Sequence, residues 1–222
     1  MGLKNWGFKV YRFIEVKSVN GVNLLEKFKS DLMDSSQTDE DIVGKYLLTG
    51  VPVDLNDELY YELRKEIGSF FNVSITRVHV VGSAKLGFSI APNKWFRKIN
   101  DDSDIDVAVI DEYVFDDYWR RLFDFNFALT SKSDKDELLL KQFESYFFRG
   151  WIRPDKFPLK YQGKDEWFDF FRSISYKKYN ERKITAAIYK NEHFFEKYHL
   201  ENIHSLRSEM QNEYIGQNGN SW

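Results

Sequence analysis

The residues best suited to chemistry in this sequence are two aspartates that enter an apolar run. Asp-x-Asp occurs four times, at Asp39/Asp41, Asp102/Asp104, Asp104/Asp106 and Asp134/Asp136, and only Asp104/Asp106 opens a β-branched stretch, DIDVAVI. A strand's period of two sends both carboxylates to one face and Ile105, Val107 and Val109 to the other. Neighbouring carboxylates repel unless something positive lies between them. A divalent cation meets that need, and hard oxygen ligands suit Mg²⁺ or Mn²⁺, which Mg²⁺ takes as one or two carboxylates completed by phosphate oxygens and water. Without a cation the same pair is two solvated acids at a strand start.

About twenty residues upstream, HVVGSAKLGFS ends a second apolar run at Gly82-Ser83. Small residues at a strand-to-turn junction let backbone N–H groups and a hydroxyl come close to phosphate oxygens. Lys85 adds a point charge. A Gly-Ser turn taken alone is an ordinary chain reversal, so the information lies in the order of the two motifs.

Both motifs need elements to hold them. ITRVHVVGS and DIDVAVI read as strands. DLNDELYYELRKEIGSFF, before the first of them, puts Leu59, Leu63, Ile67 and Phe70 on one stripe of a helix behind an Asp or Asn cap. Helices are also expected over EYVFDDYWRRLFDFNFAL and over SDKDELLLKQFESYFF, where Ser133 and Asp136 form a capping signal and Gly150 marks the stop. WIRPDKFPLKYQG reads as loop, residues 165–179 as helix, KITAAIY as a short strand and 192–211 as a final helix. At the start, FKVYRFIEVKSV suggests a strand and GVNLLEKFKSDLMDSS a helix. Strands interleaved with helices predict an α/β or α+β fold with a mixed sheet flanked by helices. The expected organisation is an N-terminal lobe over 1–53 and a second domain over 54–222 with a helical insertion at about 131–180.

Strand, Gly82-Ser83, short helix, then a strand bearing Asp104-x-Asp106 resembles the signature of the DNA polymerase β-like nucleotidyltransferases. The likeness is close over residues 70 to 112, and GSAKLGFS…DSDIDVAVI is most similar to the bacterial defence and toxin-antitoxin type. The resemblance implies that Gly82 and Ser83 contact the triphosphate of an NTP and that Asp104 and Asp106 ligate Mg²⁺ or Mn²⁺. It implies transfer of a nucleoside monophosphate to a hydroxyl acceptor, with RNA or tRNA favoured, and an antitoxin or defence-system partner protein. Members of that superfamily usually carry a third carboxylate on a later strand. Here that strand, Lys183 to Tyr189, contains no acid, and Glu166, Asp169, Glu181 and Glu192 are the substitutes around it. An oligonucleotide cyclase, a protein that binds nucleotide without transferring it, and an RNA-binding module remain alternatives.

Other side chains fit such a role or a bland one. Arg149, Arg153, Lys156 and Lys160, interleaved with Trp151, Phe157 and Tyr161, suit phosphate contacts and base stacking, or a solvated loop anchored by aromatics. Arg97 and Lys98 either reach the triphosphate or keep their loop soluble. His193, His199 and His204 are spaced by six and five, which does not align them on one helical face, and they are expected at the surface or at caps. His79 and the cluster Trp167, Phe168, Phe170 and Phe171 are expected to be structural.

Composition sets the outer bounds. The 222 residues carry 32 Lys and Arg against 35 Asp and Glu, a net charge of -3, so a polynucleotide would have to be held by a local basic patch. The absence of Cys excludes disulfides, thiolate zinc sites and thiol catalysis. No apolar leader or spanning run is present, which predicts a cytoplasmic protein with no membrane partner.

Overall fold

The computed structural model describes residues 18–19, 22–175, 178–179 and 182–219. Most of the strand expected over FKVYRFIEVKSV lies outside them; its end, β1 (Ser18–Val19), pairs antiparallel with β2 (Val22–Asn23). The helices are α1 (Leu24–Met33), α2 (Asp39–Val43), α3 (Asp57–Phe71), α4 (Gly82–Leu86), α5 (Glu112–Ala128), α6 (Asp134–Phe148), α7 (Gln162–Ile174) and α8 (Glu192–Gly219). The strands β3 (Val78–Val81), β4 (Ile105–Ile110), β5 (Trp151–Ile152) and β6 (Ile184–Tyr189) form one sheet in the order β3-β4-β6-β5. β4 runs parallel to β6, whereas β3 and β5 are antiparallel to their neighbours. The fold is therefore mixed α+β. Among the described residues no helix is long and apolar enough to cross a membrane.

Local chemistry sets several of these ends. Asn56 caps α3 by accepting from the Leu59 N–H, and Asn72 closes it in the left-handed conformation. Ser133 and Asp136 form the expected reciprocal capping box on α6. The segment 151–163, expected as loop, instead contributes β5, which pairs with the end of β6.

Alternation assigns the two faces of the sheet. Val78, Val80, Ile105, Val107, Val109, Ile184, Ala186 and Ile188 pack into one core with Leu63 and Ile67 of α3, Phe115 of α5, and Trp167 and Phe171 of α7. Val81, Ala108, Ile110 and Tyr189 face the other way and meet Phe195 of α8. By the same period of two, Asp106 and Thr185 lie on that α8 face. A third cluster joins α1, α2 and the turn after them to Leu86, Phe88 and Ile90, and to Ile203 and Leu206 further along α8. α8 thus spans from the sheet to the N-terminal helices, and a gap beside it opens onto the start of β4.

Candidate functional site

A cleft of about 480 Å³ lies in that gap, lined by Gly82, Ser83, Asp104, Asp106 and Thr185, among others. Register brings the two sequence motifs together: Val81, the last residue of β3, pairs with Asp106 of β4. The chain then turns at Gly82 with φ of +64°, a conformation costly for any residue with a Cβ. The position matters as much as the angle, because a Cβ on Gly82 would stand 3.2 Å from Asp106 Oδ2. No side chain caps the start of α4, where Ser83 sits beside the carboxylates.

Asp106 is half-buried. Its Oδ1 accepts a 2.7 Å hydrogen bond from the Thr185 hydroxyl, and Thr185 is its register partner on β6. Burial raises the Asp106 carboxyl above the usual range, against the Thr185 hydrogen bond and the positive charge of Arg153, which lower it. Asp104 is more exposed, with Lys183 Nζ 3.9 Å from its Oδ2. Its backbone is fixed from two sides. Ser103 closes a turn on Asn100, and the guanidinium of Arg182 donates to the carbonyls of Ser103 and Asp104. Arg182 is in turn buried in an ion pair with Asp54.

Opposite the sheet, the segment between α4 and β4 folds back on itself, with Ser89 N–H donating to the Arg97 carbonyl and Phe96 N–H to that of Ser89. Phe88 and Ile90 anchor it in the core. This leaves Lys94, Arg97 and Lys98 exposed along the cleft. Arg153 also reaches the cleft, where it is held by a two-point contact to Asp155. At the far end stand Trp151, Tyr189, Tyr198, His199 and Asn202.

Not every expected side chain arrives here. Lys85 turns inward, 5% exposed, and its ammonium donates to the carbonyls of Thr49 and Gly50. Burial pushes it down to about 8. Phe157 and Tyr161 belong to a hydrophobic cluster with Leu122 and Phe143, and Arg149 pairs with Glu201 across the surface. Of the substitute acids, Glu166 contacts Gln162 and Arg121, Asp169 pairs with Arg172 and Glu192 with Arg77, none of them in the cleft lining. Glu181 lies outside the described residues.

His204, expected at the surface or at a cap, is exposed and approaches Asp39 at 3.3 Å. His199, expected at the surface, is buried at 6% exposure. The burial was readable: Phe195, His199, Ile203 and Leu206 recur at intervals of four, four and three, the spacing of one helix face. The role of Thr185 left no comparable signal, since its contact with Asp106 joins positions 79 residues apart.

Among the described residues no group of three or more metal-binding side chains gathers. A divalent cation at Asp104 and Asp106 would therefore need its remaining oxygen ligands from a substrate and water. No family model, no curated protein and no solved structure matches this chain.

Proposed function

We propose that the cleft binds a nucleoside triphosphate with Mg²⁺ or Mn²⁺ and that the protein transfers the nucleoside monophosphate to a hydroxyl acceptor. The observation that carries this reading is the register of β3 on β4, which sets the positive-φ Gly82 turn directly against the Asp106 carboxylate. A turn free of side chains beside two carboxylates is what a triphosphate needs: backbone approach to its oxygens on one side and a cation on the other. The donor set suits that cation. The Asp106 carboxylate is desolvated, and no Lys or Arg pairs with it among the described residues. Two carboxylates that keep phosphate and water as the remaining ligands fit magnesium.

Held by Asp104 and Asp106, a divalent cation would supply charge neutralisation at the phosphates and ease the departure of pyrophosphate. Ser83 and the Gly82 turn hold phosphate oxygens, while Lys94, Arg97 and Lys98 supply positive potential along the opposite wall. An acceptor oxygen bonds to the α-phosphorus as the bridging bond to the β-phosphate breaks, and the hydroxyl proton leaves to solvent. RNA is the acceptor class we favour.

A second reading, nucleotide binding without transfer, is favoured by Thr185. It occupies the position on the neighbouring strand directly opposite Asp106 and hydrogen-bonds that carboxylate, where a third acid would complete a metal site. One experiment separates the readings. The protein is incubated with each of four α-labelled NTPs, with Mg²⁺ or Mn²⁺, with and without total RNA. Label in RNA with pyrophosphate release supports transfer. Metal-dependent NTP binding without incorporation supports the second reading, and no metal-dependent binding of any NTP removes both.

A further inference from the structure

The end of the cleft away from the carboxylates differs in chemistry from the rest. Tyr189 on β6 and Tyr198 on α8 meet edge to face at 5.9 Å, and Trp151 on β5 packs on Tyr198 at 5.5 Å. His199 sits against Phe195 at 4.4 Å and Tyr198 at 5.1 Å. Within this aromatic wall three polar atoms are buried with no partner among the described residues: both ring nitrogens of His199 and the indole nitrogen of Trp151. A buried polar group left unpaired is costly, because it has given up its hydrogen bonds to water for nothing. Such groups are rare in native structures and call for an explanation. Among the described residues nine buried side-chain atoms lack a partner; three of them stand on Trp151 and His199, which line this one end of the cleft, and that concentration marks where a ligand with its own donors and acceptors would be met.

We propose that this aromatic end receives the nucleobase of the bound nucleotide and that His199 is a specificity-determining residue that reads the base edge. The inference rests on the nucleotide reading above and names the second half of that site. A nucleotide has the same two-part character as the cleft: phosphates that seek cations and N–H groups, and a planar ring with an apolar face and a polar edge. The polar wall is formed by Gly82, Ser83, Asp104 and Asp106 and the aromatic wall by Trp151, Tyr189, Tyr198 and His199, within one continuous cleft. The charge state agrees with the assignment. Burial pushes the His199 imidazole down to about 4, so near neutral pH the ring is uncharged. A neutral imidazole is a poor phosphate ligand, yet it presents one N–H donor and one acceptor nitrogen. Trp151 adds a donor alone. A base edge that mixes amino or imino hydrogens with ring nitrogens or carbonyls supplies the complement, and a mismatched edge leaves these groups unpaired.

The test compares Mg²⁺-dependent binding of ATP, GTP, CTP, UTP and inorganic tripolyphosphate to the full chain, for wild type, His199→Phe and Trp151→Phe. Phe at 199 retains an aromatic ring against Phe195 and removes both orphan nitrogens. We expect wild type to favour one NTP over the least favoured by tenfold or more, and over tripolyphosphate. His199→Phe should bring the ratio among the four NTPs to within about threefold with tripolyphosphate affinity unchanged, and Trp151→Phe should lower the same ratio less. Tripolyphosphate binding also reports that each variant is folded. The inference is overturned if wild type binds all four NTPs equally, if it binds tripolyphosphate as tightly as any NTP, or if His199→Phe discriminates as wild type does. If wild type binds neither NTP nor tripolyphosphate, the nucleotide reading itself falls, which is a different result from loss of base selectivity alone.

Discussion

The buried pair Asp54 and Arg182 links the N-terminal half of the chain to the carboxylates of the cleft, and breaking it has effects that can be worked out in advance. Each side chain is only 2% exposed. Burial pushes the guanidinium down to about 10, still well above neutral pH, so the contact is ionic under ordinary conditions. Asp54 belongs to a segment tied to α4 by two backbone bonds, Val53 to Lys85 and Asp54 to Ala84. Arg182 lies two residues before β6 and grips the carbonyls of Ser103 and Asp104. Removing one partner strands the other charge in the interior, which costs about 3–5 kcal/mol. In a domain of this size each kcal/mol lowers Tm by roughly 2–4 °C, so Asp54→Ala or Arg182→Met should melt about 6–20 °C below wild type.

The double variant carries no stranded charge. It should therefore lose less than the sum of the singles, with a coupling of about 2 kcal/mol or more from denaturant titration of all four proteins. Arg182→Lys separates charge from geometry: it keeps the pair but lacks the planar fork that reaches two carbonyls. It should retain most of the stability while weakening Mg²⁺-dependent NTP binding through a misplaced Asp104. If either single substitution cost under about 1 kcal/mol, or if the losses in the double variant were simply additive, the pair would not hold these segments together and the reasoning would fail.

Three other outcomes follow from the geometry. Gly82→Ala forces a Cβ into the left-handed region at about 1–2 kcal/mol and places it 3.2 Å from Asp106 Oδ2; Tm should drop by roughly 2–8 °C, and NTP titrated in Mg²⁺ should bind at least tenfold more weakly, whereas an unchanged affinity would reduce the turn to a chain reversal. Asp106→Asn removes a desolvated charge yet can still accept from Thr185, so Tm without metal should hold or rise while any gain on adding Mg²⁺ with NTP disappears; a wild-type metal-dependent gain would sink the ligand assignment. For His199 the unfolded imidazole takes up its proton near 6.5 and the folded one only near 4. The unfolded chain therefore binds more protons between those values, and stability present in full above pH 6.5 is lost, by about 3 kcal/mol, as pH falls towards 4. Urea titrations of wild type and His199→Phe across that window should diverge by that amount, and parallel curves would show that the ring is not buried in solution.

Legibility divided along the range of the interactions. β3, β4 and β6 were readable because each is an apolar run whose alternation is local, and α6 announced its own start through Ser133 and Asp136. β5 was not, because two residues before Arg153-Pro154 carry no pattern and become a strand only by pairing with β6. Lys85 shows the same limit at a site. Its type and position suit a phosphate contact, and only the carbonyls of Thr49 and Gly50, more than thirty residues upstream, divert it inward. That Asp104, one residue before β4, and Asp106 within it share a side of the chain was readable because a period of two is a local property, whereas their neighbours Thr185 and Arg182 come from a distant segment.

The charges of the cleft likewise come from separate segments, with Arg153 beside β5 among the cations. The sheet contributes Asp104, Asp106 and the Thr185 hydroxyl, and the positive side chains Lys94, Arg97 and Lys98 come from a loop anchored through Phe88 and Ile90 in a separate core. The same core receives the far half of α8, whose near half carries Tyr198 and His199. The basic loop and the aspartates are thus anchored in two separate clusters of apolar side chains, and among the described residues no ion pair joins Lys94, Arg97 or Lys98 to Asp104 or Asp106. The exposed side chains Lys94, Arg97 and Lys98 lose little by staying unpaired, whereas the desolvated Asp106 carboxylate is stabilised by a nearby positive charge. On the reading proposed above, phosphate oxygens would meet the loop and a divalent cation would meet the aspartates, so that neither side would have to move towards the other.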